Sequence, residues 1–275
     1  MNLLVLTDFS KNAKNALDFA LEFALISTSK VTVLNCFELP YSKSNIVTSI
    51  IDVLKEDSEK GLRKVEEDIK SDLRYKDIEF RTYSNIGDLE TVVPQVAKEV
   101  NADIIVMGTK GVSAFEEFFI GSNTTRMIKT AAIPILAIPE KYDYKKFDAI
   151  TFASDLEPIQ DISSLNIIKK LATAMNKKVN VLHVLQTEEI EISVSKREVL
   201  DELKAFLLPV KTDAIFAKKE KVADGLTSYL LDGGSGFLAM IARKHSFFER
   251  LFQGSNTEML AYRTSVPLLS IPDRK

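Results

Sequence analysis

Three glycines stand beside a run of hydroxyl and amide side chains in the first half of the chain. They are Gly108, Gly111 and Gly121, the last followed directly by Ser122, Asn123 and Thr124. They lie between the apolar run Ile104-Ile-Val-Met and a helical pattern, and they account for three of only ten glycines in 275 residues. Residue types at this spacing suit phosphate binding. A phosphate needs several N–H donors at close range; glycine keeps side chains away from them and permits positive φ. A helix opening after Gly121 adds N–H groups and the positive end of its dipole. Ser122 and Thr124 can supply hydroxyls, while Ser122 or Asn123 can equally cap the helix. The plain alternative is that the glycines only shape turns. The spacing, two residues and then nine with Gly-Ser at the end, favours phosphate.

The elements that must hold these residues follow from periodicity. Short apolar, β-branched runs alternate with helical patterns: strands at 2–7, 31–37, 78–84, 103–107 and 134–138, helices at 11–28, about 45–74, 88–100 and 122–131. Ala13, Ala16, Leu17, Ala20, Phe23 and Ala24 give the first helix a buried stripe at helical spacing. The Glu/Lys-rich run Lys55–Arg74 reads as a charged helix face, with Ile51, Leu54, Leu62, Val65 and Ile69 inward. Strands such as Asp103-Ile-Ile-Val-Met are apolar without alternation, the pattern of parallel strands covered on both faces. Five such strands alternating with helices predict an α/β fold, an open, doubly wound parallel sheet. Ligands of such sheets sit beyond the carboxyl ends of the strands, where strand order reverses. Asp8 and the Gly108 loop both follow strands and both belong on that rim.

The chain repeats itself. Leu3-Leu-Val-Leu-Thr-Asp-Phe corresponds to Ala149-Ile-Thr-Phe-Ala-Ser-Asp-Leu, and Val31-Thr-Val-Leu-Asn-Cys-Phe to Val179-Asn-Val-Leu-His-Val-Leu. Phe118-Phe-Ile-Gly-Ser-Asn-Thr corresponds to Leu251-Phe-Gln-Gly-Ser-Asn-Thr, and Ile133-Pro-Ile-Leu-Ala-Ile-Pro to Val266-Pro-Leu-Leu-Ser-Ile-Pro. Four correspondences in one order indicate duplication. The second copy is shorter around the equivalent of residues 41–75. The hydrophilic stretch 140–148 separates the copies, giving expected domains 1–143 and 146–275.

Other constellations are weaker. No Walker-type Gly-x4-Gly-Lys-Ser/Thr and no Gly-x-Gly-x-x-Gly after a strand occurs. Gly233-Gly-Ser-Gly236 follows a helical pattern and reads as a helix stop at the opposite rim. Cys36 reads as a small residue ending a strand rather than a reactive thiol. His183 sits in an apolar strand, and with His245 the only other histidine, a histidine metal cluster or nucleophilic triad is not expected. Lys110 and Arg126 flank the loop as phosphate contacts or as surface charge. A net charge of −3 gives no general pull toward nucleic acid or anionic membrane. No apolar run has the length of a membrane span, and the N-terminus enters a strand at once, so the expectation is a cytoplasmic protein.

The pattern Gly108-x2-Gly111-x9-Gly121-Ser122, with Thr7-Asp8-Phe9-Ser10 at the end of the first strand, resembles the universal stress protein family, and the resemblance spans the chain as two tandem copies. It implies two five-stranded adenine nucleotide alpha hydrolase-like domains. It also implies a stress-response regulatory role and ATP or a related adenine nucleotide as ligand, with Mg2+ accompanying the phosphates. Carried over by position, Thr7, Asp8 and Cys36 would contact adenine. Gly108, Gly111, Gly121 and Ser122 would hold ribose and phosphates, and Asn123 would lend its backbone.

The second copy departs from this pattern. Ungapped alignment back from Gly254 sets Ile241 at the place of Gly108 and Lys244 at that of Gly111, so only Gly254-Ser-Asn-Thr257 survives. The expectation is one nucleotide site, in the first copy; a smaller anion near the second helix start, helped by Arg243 or Lys244, stays open. Two rival readings remain. One is a slow ATPase or phosphotransferase, for which Asp8 could hold a metal through water, without a clear base or arginine finger to complete the site. The other is a ligand-free interaction scaffold. The last strands, Ile133–Pro139 and Val266–Pro272, carry no charge and would aggregate if left as edges. They are expected to pair with each other as an intrachain pseudo-dimer; homo-oligomers beyond that stay open.

Overall fold

The computed structural model describes residues 1–38, 47–109, 121–140, 142, 148–186, 191–231, 237–243 and 266–273. Lys110, Gly111, the Gly233–Gly236 run, Lys244, His245 and Gly254–Thr257 therefore lie outside the described residues. The first half contains β1 (Asn2–Leu6), α1 (Lys11–Ser27), β2 (Lys30–Phe37), α2 (Val47–Ser71), β3 (Phe80–Ile86), α3 (Leu89–Glu99), β4 (Ile104–Gly108), α4 (Ser122–Thr130) and β5 (Ile135–Ile138). The second contains β6 (Ala149–Ala153), α5 (Asn166–Ala174), β7 (Lys178–Leu185), α6 (Val194–Leu207), β8 (Thr212–Lys218), α7 (Val222–Leu231), β9 (Leu238–Ala242) and β10 (Leu268–Pro272).

Local chemistry explains the element ends. Ser10, Asp88 and Ser193 each cap a helix, their side chains accepting from the N–H three residues on in α1, α3 and α6. Helix α2 stops at Ser71 rather than near residue 74, because Asp72 caps a separate 3₁₀ turn, Leu73–Tyr75. Its counterpart α6 has 14 residues against 25, which is the shortening expected of the second copy.

All ten strands join one sheet in the order β3-β2-β1-β4-β5-β10-β9-β6-β7-β8. Within each half the pairings are parallel, and the order reverses between β1 and β4 and again between β6 and β9. At the centre β5 and β10 run antiparallel, with Leu136 opposite Leu269. Those two leucines are counterparts in the sequence repeat, so the pseudo-twofold axis passes between them.

Each face of the sheet carries one apolar core drawn from both halves. One core joins Leu3, Val5, Leu17 and Ala20 to Phe152, Ile168 and Leu203. The other joins Leu4, Leu6, Val93 and Met127 to Leu182, Leu226 and Met240. Lys170 of α5 reaches Asp103, just before β4, at 3.0 Å, adding a polar tie between the halves.

Candidate functional site

The first-half site is built at the carboxyl rim beside the β1/β4 crossover. Thr7 leaves β1 with its N–H on the Leu34 carbonyl, 2.9 Å, and its own carbonyl accepts from the Asn35 amide at 2.7 Å. Its hydroxyl accepts from the Phe9 N–H, and the Asp8 carboxylate accepts from the Ser10 N–H, both at 3.0 Å. These bonds hold Phe9 at φ 61°, a costly left-handed conformation for an aromatic residue. The Phe9 ring is seated on α2, so close that a Cβ on Gly61 would lie 2.5 Å from it. Asp8 is exposed and Thr7 buried.

The glycine side of the rim is tied to the same place. Gly108 is buried at the end of β4, and the Thr124 hydroxyl of α4 donates to its carbonyl at 2.9 Å. The Gly121 N–H donates to the Thr109 carbonyl at 2.6 Å, and the Asn12 amide of α1 reaches the Thr109 hydroxyl at 3.4 Å. Helix α4 opens at Gly121 with no side-chain cap, and Ser122 and Asn123 are exposed on its first turn. Arg126 turns to Glu90 at 3.3 Å and to the Asn123 side chain at 3.0 Å.

One sequence argument changes. Glycine permits positive φ, yet Gly87 is the one glycine among the described residues that has it; Gly121 sits at φ −58°. Gly108 is needed for close approach instead. A Cβ there would lie 2.9 Å from Asn12 Cγ and 3.1 Å from the Asn12 backbone carbon. Cys36 is a poor nucleophile: burial, then Asp88 and Glu38, push its thiol up to about 12. Sequence reasoning missed Asn12, Asn35 and Thr109. The signal for Asn35 was present, an amide inside an apolar strand.

The second half shows the same construction with different contents. Ile241 stands opposite Ile271 as Gly108 stands opposite Ile138, so strand register confirms their equivalence. The Ser154 hydroxyl accepts from Leu156 N–H, Asp155 accepts from Glu157 N–H, and Leu156 has φ 57°. His183 replaces Asn35 and binds the Ser154 carbonyl at 2.9 Å. Ile241 stands where the first half has Gly108, and the chain after Asp155 stays irregular to a 3₁₀ turn at Ile162–Leu165 before α5 begins. Arg243 folds onto Asp155, 3.1 Å to each carboxylate oxygen, and onto the Pro158 carbonyl at 2.9 Å. Among the described residues no group of three or more His, Cys, Asp or Glu side chains could hold a metal.

Comparison with known sequences decides the family. A model of the Universal stress protein family matches residues 1–139. The chain belongs to the universal stress protein family. A universal stress protein of Staphylococcus aureus (strain USA300) is 26% identical over 139 residues, 50% of this chain and 82% of that protein. The fold likeness covers both halves. A universal stress protein from Archaeoglobus fulgidus DSM 4304 superposes with a TM-score of 0.76 at 18% identity, covering 99% of this chain and 98% of that one. One from Pseudomonas aeruginosa UCBPP-PA14 gives 0.59 at 14% identity, covering 98% and 92%. This universal stress protein thus has the α/β fold expected of it.

Proposed function

We propose that this universal stress protein is a stress-response regulatory module that binds ATP or a related adenine nucleotide in its first domain, residues 1–143. The second domain, residues 146–275, is the degenerate partner, joined to the first through β5 and β10. The observation that carries the reading is the opening of α4. Its first turn has no side-chain cap, lies at the carboxyl rim, and is anchored by Thr124 to the end of β4. Uncapped first-turn N–H groups and the helix dipole favour a phosphate there. Thr7 and Asp8 then stand on the adenine side, with Cys36 as an apolar wall. Gly111 and Ser122 serve the ribose and phosphates, Asn123 lends its N–H, and Mg2+ accompanies the phosphates.

The second domain supports the asymmetry. Ile241 and the Arg243–Asp155 pair occupy the equivalents of the Gly108 and Asp8 positions. Thermal unfolding with and without MgATP tests the reading. Ligand at a hundredfold excess over its dissociation constant stabilises the native state by about 2.7 kcal/mol. A melting temperature that no adenine nucleotide moves would sink it.

A further inference from the structure

Helices α1 and α2 lie on the same face of the first domain's sheet and leave between them a groove of about 540 Å³, which runs from the carboxyl rim toward the amino ends of the strands. We propose that this groove binds an elongated apolar organic cation, its chain laid between the helices and its ammonium among Glu22, Asp68 and Asp72. The inference goes beyond the nucleotide reading and does not rest on it.

The sequence builds the groove from two facing stripes. Leu17 and Leu21 of α1, and Val65 and Ile69 of α2, are pairs four residues apart, so each pair stacks on one side of its helix. All four line the groove and belong to or pack on one apolar core. At the carboxyl end the Phe9 ring closes the groove by lying on Gly61, where a Cβ would be 2.5 Å from it. At the amino end the Arg74 guanidinium and the Tyr75 hydroxyl both donate to Glu22 of α1, at 2.6 and 2.9 Å. Between these closures the walls extend from Lys14 to Glu22, about 12 Å at the rise of a helix.

Charge differs along the groove. Toward the rim, Lys14 is paired with Asp18 at 3.0 Å, and Lys64 is exposed. Toward the amino end three carboxylates, Glu22, Asp68 and Asp72, line the groove against one cation, Arg74. Arg74 is shared by Glu22 and Asp72, each at 2.6 Å, so that end keeps a negative excess with its ion pairs formed. The last turn of α2 adds the negative end of its dipole beside Asp68.

Size and polarity then select the ligand. The volume lies inside the roughly 300–1,000 Å³ of pockets that enclose small organic molecules. Apolar walls with negative charge at one end fit a chain that ends in an ammonium. The chain is buried while the head stays hydrated beside the exposed Asp68. A carboxylate on the same chain would meet like charge there. In the second domain Lys169 of α5 reaches the Phe206 carbonyl of α6 at 3.2 Å and bridges the corresponding helices, so one ligand per chain is expected.

The test is calorimetric titration of the full chain, without nucleotide, with octylammonium. Saturable binding is expected. Butylammonium, with a shorter apolar chain, should bind at least about tenfold more weakly, and octanoate likewise, because its head is repelled. Val65→Phe adds bulk to the groove wall and should weaken octylammonium at least about tenfold; its far-UV circular dichroism checks that it is folded. Asp68→Lys changes only an exposed side chain and should weaken octylammonium about three- to tenfold while narrowing its advantage over octanoate. No saturable binding, octanoate bound as tightly as octylammonium, or undiminished octylammonium binding in folded Val65→Phe or in Asp68→Lys would overturn the proposal.

Discussion

Asn12 of α1 lies against Gly108 of β4 so closely that a Cβ on the glycine would sit 2.9 Å from Asn12 Cγ and 3.0 Å from its Oδ1. That approach lets α1 start at Lys11, directly after the Thr7–Ser10 loop. In the second domain Ile241 takes the glycine's place and the corresponding helix is preceded by irregular chain and a 3₁₀ turn. The glycine therefore shapes the carboxyl rim of the first half through the helix that it admits.

Gly108→Ala is expected to destabilise the protein by about 1–3 kcal/mol, the usual penalty for overpacking a tight contact, and to weaken nucleotide binding as the rim shifts. Asn12→Ala in the same chain should recover part of the stability, because two of the three nearest atoms belong to the Asn12 side chain. Urea unfolding of the two single variants and the double variant reads the coupling directly.

The repeat, the strand–helix alternation and the pairing of the charge-free last strands were all legible in the sequence, because each rests on local periodicity or self-comparison. Alignment without a structure also found the Ile241 equivalence that strand register confirms. The Asn12–Gly108 contact was not legible: it joins distant parts of the chain, and a glycine's reason, φ or close approach, is invisible without its neighbours. The repeat aligns Asn35 with His183, but their shared role escaped for a similar reason. An amide and an imidazole look unrelated until they are seen holding corresponding carbonyls, those of Thr7 and Ser154.

At the domain junction, Leu269→Ala is expected to cost about 2–5 kcal/mol, as for other buried leucines. Leu269 is fully buried opposite Leu136 on the pseudo-twofold axis. Chemical denaturation should show the loss, and a change below about 1 kcal/mol would mean that the junction is not the tightly packed strand pair described here.

Asp103 links the domains in a pH-dependent way. Burial pushes its carboxyl up, but the Asn2 N–H and the Lys170 ammonium outweigh burial and hold it below the ordinary value of 3.8. A depressed folded pKa stabilises above the unfolded value and is lost as pH falls through the folded one. Asp103→Asn should therefore lower stability at neutral pH by a modest amount, because Lys170 is half exposed and Asp103 about a third exposed, and should flatten the acid limb of the profile below about pH 4, where the wild-type contribution is lost anyway.

Cys36 behaves oppositely. With its thiol raised from 9.0 to about 12 in the folded state, its contribution is intact below pH 9 and is lost as pH rises toward 12. Iodoacetamide at pH 8 should label the native chain slowly and the urea-unfolded chain quickly. Equal rates would contradict the burial assigned to this side chain.

The central claim is one nucleotide site per chain, in the first domain. Isothermal titration of the full chain with MgATP measures it most directly. The expected stoichiometry is one ATP per chain, lost on Gly111→Lys, which installs the second domain's residue, and unchanged by Ile241→Gly. Two equivalent sites, or binding that survives Gly111→Lys, would contradict the account.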